Sequence, residues 1–392
     1  MPLILYGIYF IRKKKIQLHI PLPEADYAII ITAYQQTSFL TEAVNSILRL
    51  NYSNYLIYIV ADNCDISDLH FRNDKVLLLR PSQTLGSNTR SHFYAINHFK
   101  RQHDRLTIID SDNVVDPEYL NELNKLFNSG YDAVQGLRSP KNLNTTYACL
   151  DAARDIYYQF YDGKILFRAG SSATLAGSGM AFTTELYRKS LEHLDVTGAG
   201  FDKVLQYQIV KKGIRIAFAE NAIVHDEKTI DPKQLVKQRA RWINAWFRYF
   251  YFGFTLIKRG ILSANWNQFL FGVICVHPPL FIFFILSVFF MVINLFIFPA
   301  LSLIWLVGIL IFTISLFIAL HEAQADKRIY KSLSNIPVFI FYQVLSLLKI
   351  KKANERSVAT EHYHKKPAES RVSIIVKDHE SISNGKEKEK SG

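Results

Sequence analysis

The chain has 392 residues, a net charge of +12, and 49% hydrophobic and 14% aromatic residues, which suits a large soluble domain joined to an apolar part. Its basic runs sit beside apolar stretches, at 12–15, 258–259, 327–328 and 349–352. That placement fits anionic lipid and the positive-inside bias, and argues against nucleic acid as the partner. The three cysteines, Cys64, Cys149 and Cys275, are far apart and form no CxxC pair, which argues against a disulfide framework or a zinc site.

In chain order, residues 1–11 are apolar and precede the basic run at 12–15. They are too short for an ordinary span. The charge follows the apolar run, so no cleavable signal is expected. The segment 1–25 reads as an interfacial anchor or the stub of a longer helix.

From 26 to 234 short apolar runs alternate with helical periodicity. Strands are expected at 27–32, 56–61, 76–79, 106–109, 133–135 and 214–218, and helices at 39–50, 87–99, 117–128, 147–161 and 203–211. This alternation argues for an α/β domain with an open, mostly parallel sheet. Ligands of such sheets lie outside the carboxyl ends of the strands. Three strand ends there carry polar groups: Thr32-Ala33-Tyr34, Asp62-Asn63-Cys64-Asp65 and Asp110-Ser111-Asp112. Acids in that position suggest a cation bridging to phosphates, since Mg²⁺ and Mn²⁺ prefer carboxylate and phosphate oxygen. His225 follows the last strand, where a buried or capping residue is the ordinary reading.

The stretch 235–257 mixes Arg239, Arg241 and Arg248 with Trp242, Trp246 and Phe247, and 336–348 is apolar but short. Both have the makeup of helices in the headgroup layer. Residues 268–320 contain no Asp, Glu, Lys or Arg and are long enough for two passes, expected at about 269–293 and 298–320. Pro278 and Pro279 are expected to kink the first pass. Two passes with basic flanks put both ends on the cytoplasmic side of the cell membrane. The segment 235–350 is thus an interfacial and membrane region, and 351–392 a polar cytoplasmic tail.

The ordered set of residues 28–34, Ala61-Asp62, Asp110-Ser111-Asp112, residues 177–180 and Gln238-Arg239-Ala240-Arg241-Trp242 resembles family 2 glycosyltransferases. It is similar to the membrane branch with the cellulose, chitin and hyaluronan synthases. The resemblance implies a GT-A-like domain and transfer of a sugar, with inversion, from a nucleotide-diphosphate donor such as a UDP-sugar to a glycan or lipid acceptor. It implies that Asp62 holds the base and that Ala33, Tyr34 and Ser111 line the donor site. Asp110 would lie near the ribose and diphosphate, and Asp112 would coordinate Mg²⁺ or Mn²⁺, with His225 as a further metal ligand, as in some metal-dependent glycosyltransferases. Gln238, Arg241 and Trp242 would close over the diphosphate and acceptor, with membrane lipids alongside. Residues 177–180 would shape the acceptor side or form a plain glycine turn.

The family's catalytic Thr-Glu-Asp corresponds here to Gly200-Phe201-Asp202. Asp202 is then the base that takes the acceptor hydroxyl's proton, the N-cap of the helix after it, or both. Phe201 stands where Glu is usual. Gly86-Ser87-Asn88 and Arg90 occupy a region that usually has a Lys, and residues 359–362 resemble a Thr-containing loop of the synthases. A processive synthase, a nucleotidyltransferase sharing the sheet and the acidic metal site, and a non-catalytic membrane partner retaining the fold are the rival readings.

Overall fold

The computed structural model describes residues 2–11 and 24–350, which belong to one unit spanning Met1–Thr360. The basic run at 12–15, Lys351 and Lys352, the loop at 359–362 and the polar tail lie outside the described residues.

Helix α1 (Pro2–Ile11) packs Leu5 and Tyr9 into the core and sets Tyr6 against Phe160, with ring centroids 5.9 Å apart. The first half of the domain runs β1 (Tyr27–Tyr34), α2 (Leu40–Ile47), β2 (Tyr55–Asp62), β3 (Val76–Leu79), α3 (Asn88–Asn97), β4 (Arg105–Asp110), β5 (Val114–Val115) and α4 (Tyr119–Asn128). The second half begins with β6 (Ala133–Pro140) and α5 (Thr146–Tyr158). A π-helical stretch (Gln159–Ile165) then leads into α6 (Leu166–Arg168), followed by β7 (Met180–Thr183), α7 (Thr184–Leu191), α8 (Phe201–Lys211) and β8 (Ile216–Asp226).

The eight strands form one sheet in the order β3-β2-β1-β4-β7-β6-β8-β5. The four strands β3, β2, β1 and β4 are parallel. The other half is mixed: β7 is antiparallel to both neighbours and β5 to β8, while β6 and β8 are parallel. The α/β class and the open sheet are as expected, and every antiparallel pairing involves β7 or β5. Ile29, Ile30 and Ile31 of β1 are at most 1% exposed, as a central strand covered on both faces requires.

After the sheet come α9 (Pro232–Tyr249), α10 (Tyr251–Leu262) and α11 (Trp266–Val276). Helices α10 and α11 meet at glycines: a Cβ on Gly253 would lie 2.6 Å from the Gly272 carbonyl oxygen, and one on Gly272 would lie 2.7 Å from that of Gly253. The start of α11 is fastened to the α/β domain. Gln268 donates to the carbonyls of Val210 and Lys211, and Asn267 accepts from the Ser172 hydroxyl at 2.7 Å. Residues 269–276 therefore belong to a docked helix. Pro278 and Pro279 separate it from α12 (Leu280–Ile297) instead of kinking one long helix.

Helix α13 (Pro299–Glu322) begins at Pro299, one residue after the expected start of the second pass. It is followed by α14 (Lys327–Ser332), a 3₁₀ turn (Leu333–Asn335) and α15 (Ile336–Leu348). Among the described residues, three helical runs are long and apolar enough to cross a membrane: Leu280–Ile297, Pro299–Glu322 and Lys327–Leu348. The third includes the stretch expected to lie in the headgroup layer. Large apolar side chains such as Phe289, Phe296, Leu303, Ile304 and Leu310 stand exposed along α12 and α13, a surface that suits lipid better than water.

Candidate functional site

Strand register brings the acidic strand ends together. Tyr34 at the end of β1 pairs with Asp62 of β2 on one side, while Thr32 pairs with Asp110 of β4 on the other. Ala33 is buried against Ala61 and Cys64, so only its backbone is available to a ligand, whereas Tyr34 is half-buried. Asp62 is 2% exposed, and its carboxylate accepts the amides of Leu85 at 2.9 Å and Gly86 at 2.8 Å. It thus shapes the loop beside the strand ends, and Gly86 turns there with φ of 59°.

Asp110, Ser111 and Asp112 form the short connection from β4 to β5, and all three are half-buried. The Asp110 amide donates to the Ser178 hydroxyl at 3.1 Å, and the Gly179 amide to the Ile108 carbonyl at 2.9 Å. Residues 177–180 are therefore a glycine turn sewn to the end of β4. Gly177 and Gly179 adopt φ of 88° and 69°, a conformation that glycine reaches without strain. His225 on β8 faces Val114 of β5 across the ladder. Its Nε2 lies 2.8 Å from an Asp116 carboxylate oxygen, so that nitrogen is engaged. Among the described residues, no three His, Cys, Asp or Glu side chains converge as a ready metal site.

Asp202 lies in the first turn of α8. The N-cap is Gly200, with φ of 100°, which corrects the expectation that Asp202 caps the helix. The Lys203 ammonium is 3.4 Å from the Asp202 carboxylate. Phe201, in the place where Glu is usual, is 6% exposed and meets the His92 ring at 5.2 Å, so packing accounts for it. Burial pushes His92 down to about 3, leaving it neutral at physiological pH.

A Cβ on Gly200 would come 2.9 Å from the Tyr249 ring and 3.0 Å from Ala245. The start of α8 thus rests on α9, about one turn beyond Trp242. Asp231 caps α9 by accepting the amides of Lys233 and Gln234, and Pro232 occupies its first turn. Gln238 accepts from the Thr229 hydroxyl at 3.2 Å. Burial pulls the Arg241 guanidinium below its usual range. Two guanidiniums lie over the Trp242 indole, Arg239 at 4.1 Å and Arg154 at 4.7 Å from the ring centroid.

Sequence reasoning missed the buried charges that link these parts. Arg239 pairs with Asp151, with side chains 2% and 4% exposed. Lys228 pairs with Asp155 and, at 2.9 Å, with Asp226, which in turn pairs with Arg138 on β6. Burial alone would lower the Arg138 affinity for its proton, but Asp226, Asp155 and Asp110 more than reverse this and raise it. Burial pushes Asp155 up, yet Lys228, Arg154 and Arg138 outweigh it and hold the carboxyl at about 2. Burial, then the Arg138 cation, push Arg239 down to about 9, still charged at neutral pH. The one local signal was the spacing of Asp151 and Asp155, four residues apart on one face of a helix.

The model of the glycosyltransferase-like family 2 matches residues 23–245. No curated protein sequence matches the chain. Among solved structures, the mannosyltransferase PcManGT from Pyrobaculum calidifontis, in complex with GDP-Man and Mn2+, is similar over 89% of this chain and 94% of its own, with a TM-score of 0.51 and 14% identity. At that identity the likeness is one of fold. TarS of S. aureus is similar over 55% of this chain and 38% of its own, with a TM-score of 0.37 and 14% identity. Its 1–349 fragment in complex with UDP gives 57% and 66%, 0.38 and 13%. With the family model spanning more than half of its residues, including every strand of the sheet, this chain belongs to the glycosyltransferase-like family 2.

Proposed function

We propose that the chain is an inverting hexosyltransferase that moves a sugar from a nucleotide-diphosphate donor, a UDP-sugar, to a glycan or lipid acceptor at the cytoplasmic face of a membrane. The observation that carries this reading is the placement of Asp62 and Asp110 on either side of the end of β1, with a run of ion pairs leading from Arg138 on β6 to the guanidiniums over Trp242 on α9. The donor lies across those strand ends. Asp62 serves the base side through the Leu85–Gly86 loop that it holds, with Tyr34 and the Ala33 backbone alongside. Asp110 and Ser111 lie toward the ribose and diphosphate.

The donor set fits a divalent cation, Mg²⁺ or Mn²⁺. Asp110 and Asp112 offer hard carboxylate oxygens that would hold it together with phosphate oxygens of the donor, since no three His, Cys, Asp or Glu side chains converge among the described residues. Such an ion, held at Asp112, supplies neutralising charge to the departing diphosphate. Gln238, Arg241 and Trp242 lie over the diphosphate and the acceptor sugar. A guanidinium suits phosphate oxygens, and an indole suits the apolar face of a sugar ring.

Asp202 takes the proton of the acceptor hydroxyl. That oxygen forms the new bond to the anomeric carbon as the carbon–phosphate oxygen bond breaks, and the nucleoside diphosphate leaves with the electron pair. Attack from the face opposite the leaving group inverts the configuration. The apolar helices after the domain and the basic residues around them keep a lipid-linked or membrane-bound acceptor close.

The test is a donor screen with full-length protein in detergent, with product mass and anomeric configuration determined with and without chelator. Transfer of one sugar with inversion, abolished by chelator and restored by Mg²⁺ or Mn²⁺, is expected. Absence of transfer from any nucleotide sugar would remove the enzyme reading.

A further inference from the structure

The indole of Trp242 is not held by apolar packing alone. Arg239, three residues earlier on the same face of α9, and Arg154 of α5 both lie over it, at 4.1 and 4.7 Å. Each guanidinium is fixed by a carboxylate of α5: Arg239 by Asp151, and Arg154 by Asp155 at 2.7 Å. Asp155 also takes Lys228, Lys228 takes Asp226, and Asp226 takes Arg138. Gln159, where α5 passes into the π-helical stretch, clamps the Arg138 backbone from both sides. Its amide group donates to the Arg138 carbonyl at 2.7 Å and accepts the Arg138 amide at 2.5 Å. Arg138 also donates to the Ala176 carbonyl at 2.9 Å, beside the glycine turn that binds the Asp110 amide.

The charges alternate along this path. Arg239, Arg154, Lys228 and Arg138 are interleaved with Asp151, Asp155 and Asp226. Lys228 and Arg239 are 2% exposed, and Asp151, Asp226 and Asp155 are 4, 6 and 12% exposed. As a source of stability such a buried chain is a poor choice, because well-packed apolar residues do as well or better. As a way of fixing the orientation of a flat ring relative to a distant loop it is well suited, since each link is directional and loses strength steeply when misaligned.

We propose that Asp151 and Asp155 are positioning residues of the transfer reaction: the two α5 carboxylates hold Arg239 and Arg154 over Trp242 and, through Lys228, Asp226 and Arg138, keep that acceptor-side ring in register with the donor-side loop at Asp110. This rests on the reading that Trp242 and Asp110 serve the transfer.

The experiment is a double-mutant cycle in the full-length protein in detergent, with Asp155→Asn, Trp242→Phe and their combination. Donor affinity, kcat and the acceptor KM are measured for each. Asp155→Asn is expected to lower kcat/KM for the acceptor on the order of 100-fold, the cost of misplacing a group by about 1 Å. Donor affinity should stay within about threefold, and Asp155→Glu should recover part of the loss. In the Trp242→Phe background the Asp155→Asn loss should largely vanish, because both act through the same ring. Additive losses, or equal loss of donor and acceptor binding without rescue by Glu, mean a merely structural role and overturn the proposal.

If Asp155→Asn does not fold, the paired replacement of Asp151→Leu with Arg239→Met removes one link without leaving a lone buried charge. Full activity in that folded variant would overturn the proposal, and a selective acceptor-side loss would support it. The fluorescence of Trp242, obtained by subtracting the Trp242→Phe spectrum, should shift in Asp155→Asn. That shift needs no turnover, so an inactive wild-type protein would sink the enzyme reading while leaving the positioning claim to be judged on the spectrum.

Discussion

On the donor side of the proposed site, side chains reach their places through the register of the parallel half-sheet. On the acceptor side they reach theirs through ion pairs between distant segments. Asp62 and Asp110 flank the end of β1 because β2 and β4 pair with it along most of its length. Trp242 and Arg239 are located by α5, a helix of the mixed half-sheet, through Asp151 and Asp155. Backbone ladders are insensitive to single side chains. A buried ion chain is sensitive to each of its members. Changes on the donor side should therefore affect chemistry and leave folding intact, whereas changes on the acceptor side should affect both.

The largest expected effect lies at Asp202, where α8 meets α9. Asp202→Asn keeps the shape and removes the base, so kcat should fall about 10²–10⁴-fold with donor binding nearly unchanged. Steady-state transfer kinetics with a parallel donor-binding titration check this, and unaltered turnover would take Asp202 out of the mechanism. The next effect tests the ion chain as a structural element. Lys228→Met leaves Asp155 and Asp226 buried without their shared cation, which should cost about 3–5 kcal/mol in unfolding. Lys189→Ala removes an exposed pair with Glu185 and should leave the unfolding midpoint where it is. If the two variants unfold alike, the buried ion chain is no more sensitive to its members than a surface pair, and the contrast with the backbone-placed donor side fails.

A smaller loss is expected where the two regions touch. Gly200 has φ of 100° and no room for a Cβ against Tyr249. Gly200→Ala should cost about 1–3 kcal/mol, read in thermal unfolding, with an accompanying loss of turnover as α8 shifts on α9.

The same contrast explains what could be read before the structure. The runs at 27–34 and 105–110 announced themselves because a central strand is continuously apolar and ends where polar residues begin. Strand β7, four residues running directly into α7, and β5, two residues long, leave no periodicity to find. The pairs Asp151–Arg239 and Arg138–Asp226 each join residues 88 positions apart, and no local pattern encodes such a meeting. In the apolar region the prolines at 278 and 279 were legible, but their effect was not. With the start of α11 tied to the α/β domain by Asn267 and Gln268, they end a helix instead of bending one. The glycines at 253, 260 and 272 were the available sign of close helix contact between α10 and α11.

A pH series distinguishes two buried carboxyls of opposite tendency. Burial raises Asp162, in the π-helical stretch, to about 7 from its ordinary 3.8, with Lys203 pulling the other way. A group whose folded value is raised leaves the fold unpenalised below the unfolded value and weakens it as pH climbs through the folded one. Asp162→Asn should therefore match the parent near pH 4 and unfold at a higher temperature at pH 8, with the gap opening between about 4 and 7. Asp155, held at about 2 by its cations, behaves in the reverse sense: its contribution is present above the unfolded value and is lost as pH falls from about 4 toward 2. Unfolding temperatures of Asp162→Asn, Asp155→Asn and the parent from pH 3 to 8 check both signs. A gap for Asp162→Asn that closes on the alkaline side would mean that its carboxyl is not desolvated, and that Lys203 answers to Asp202 alone.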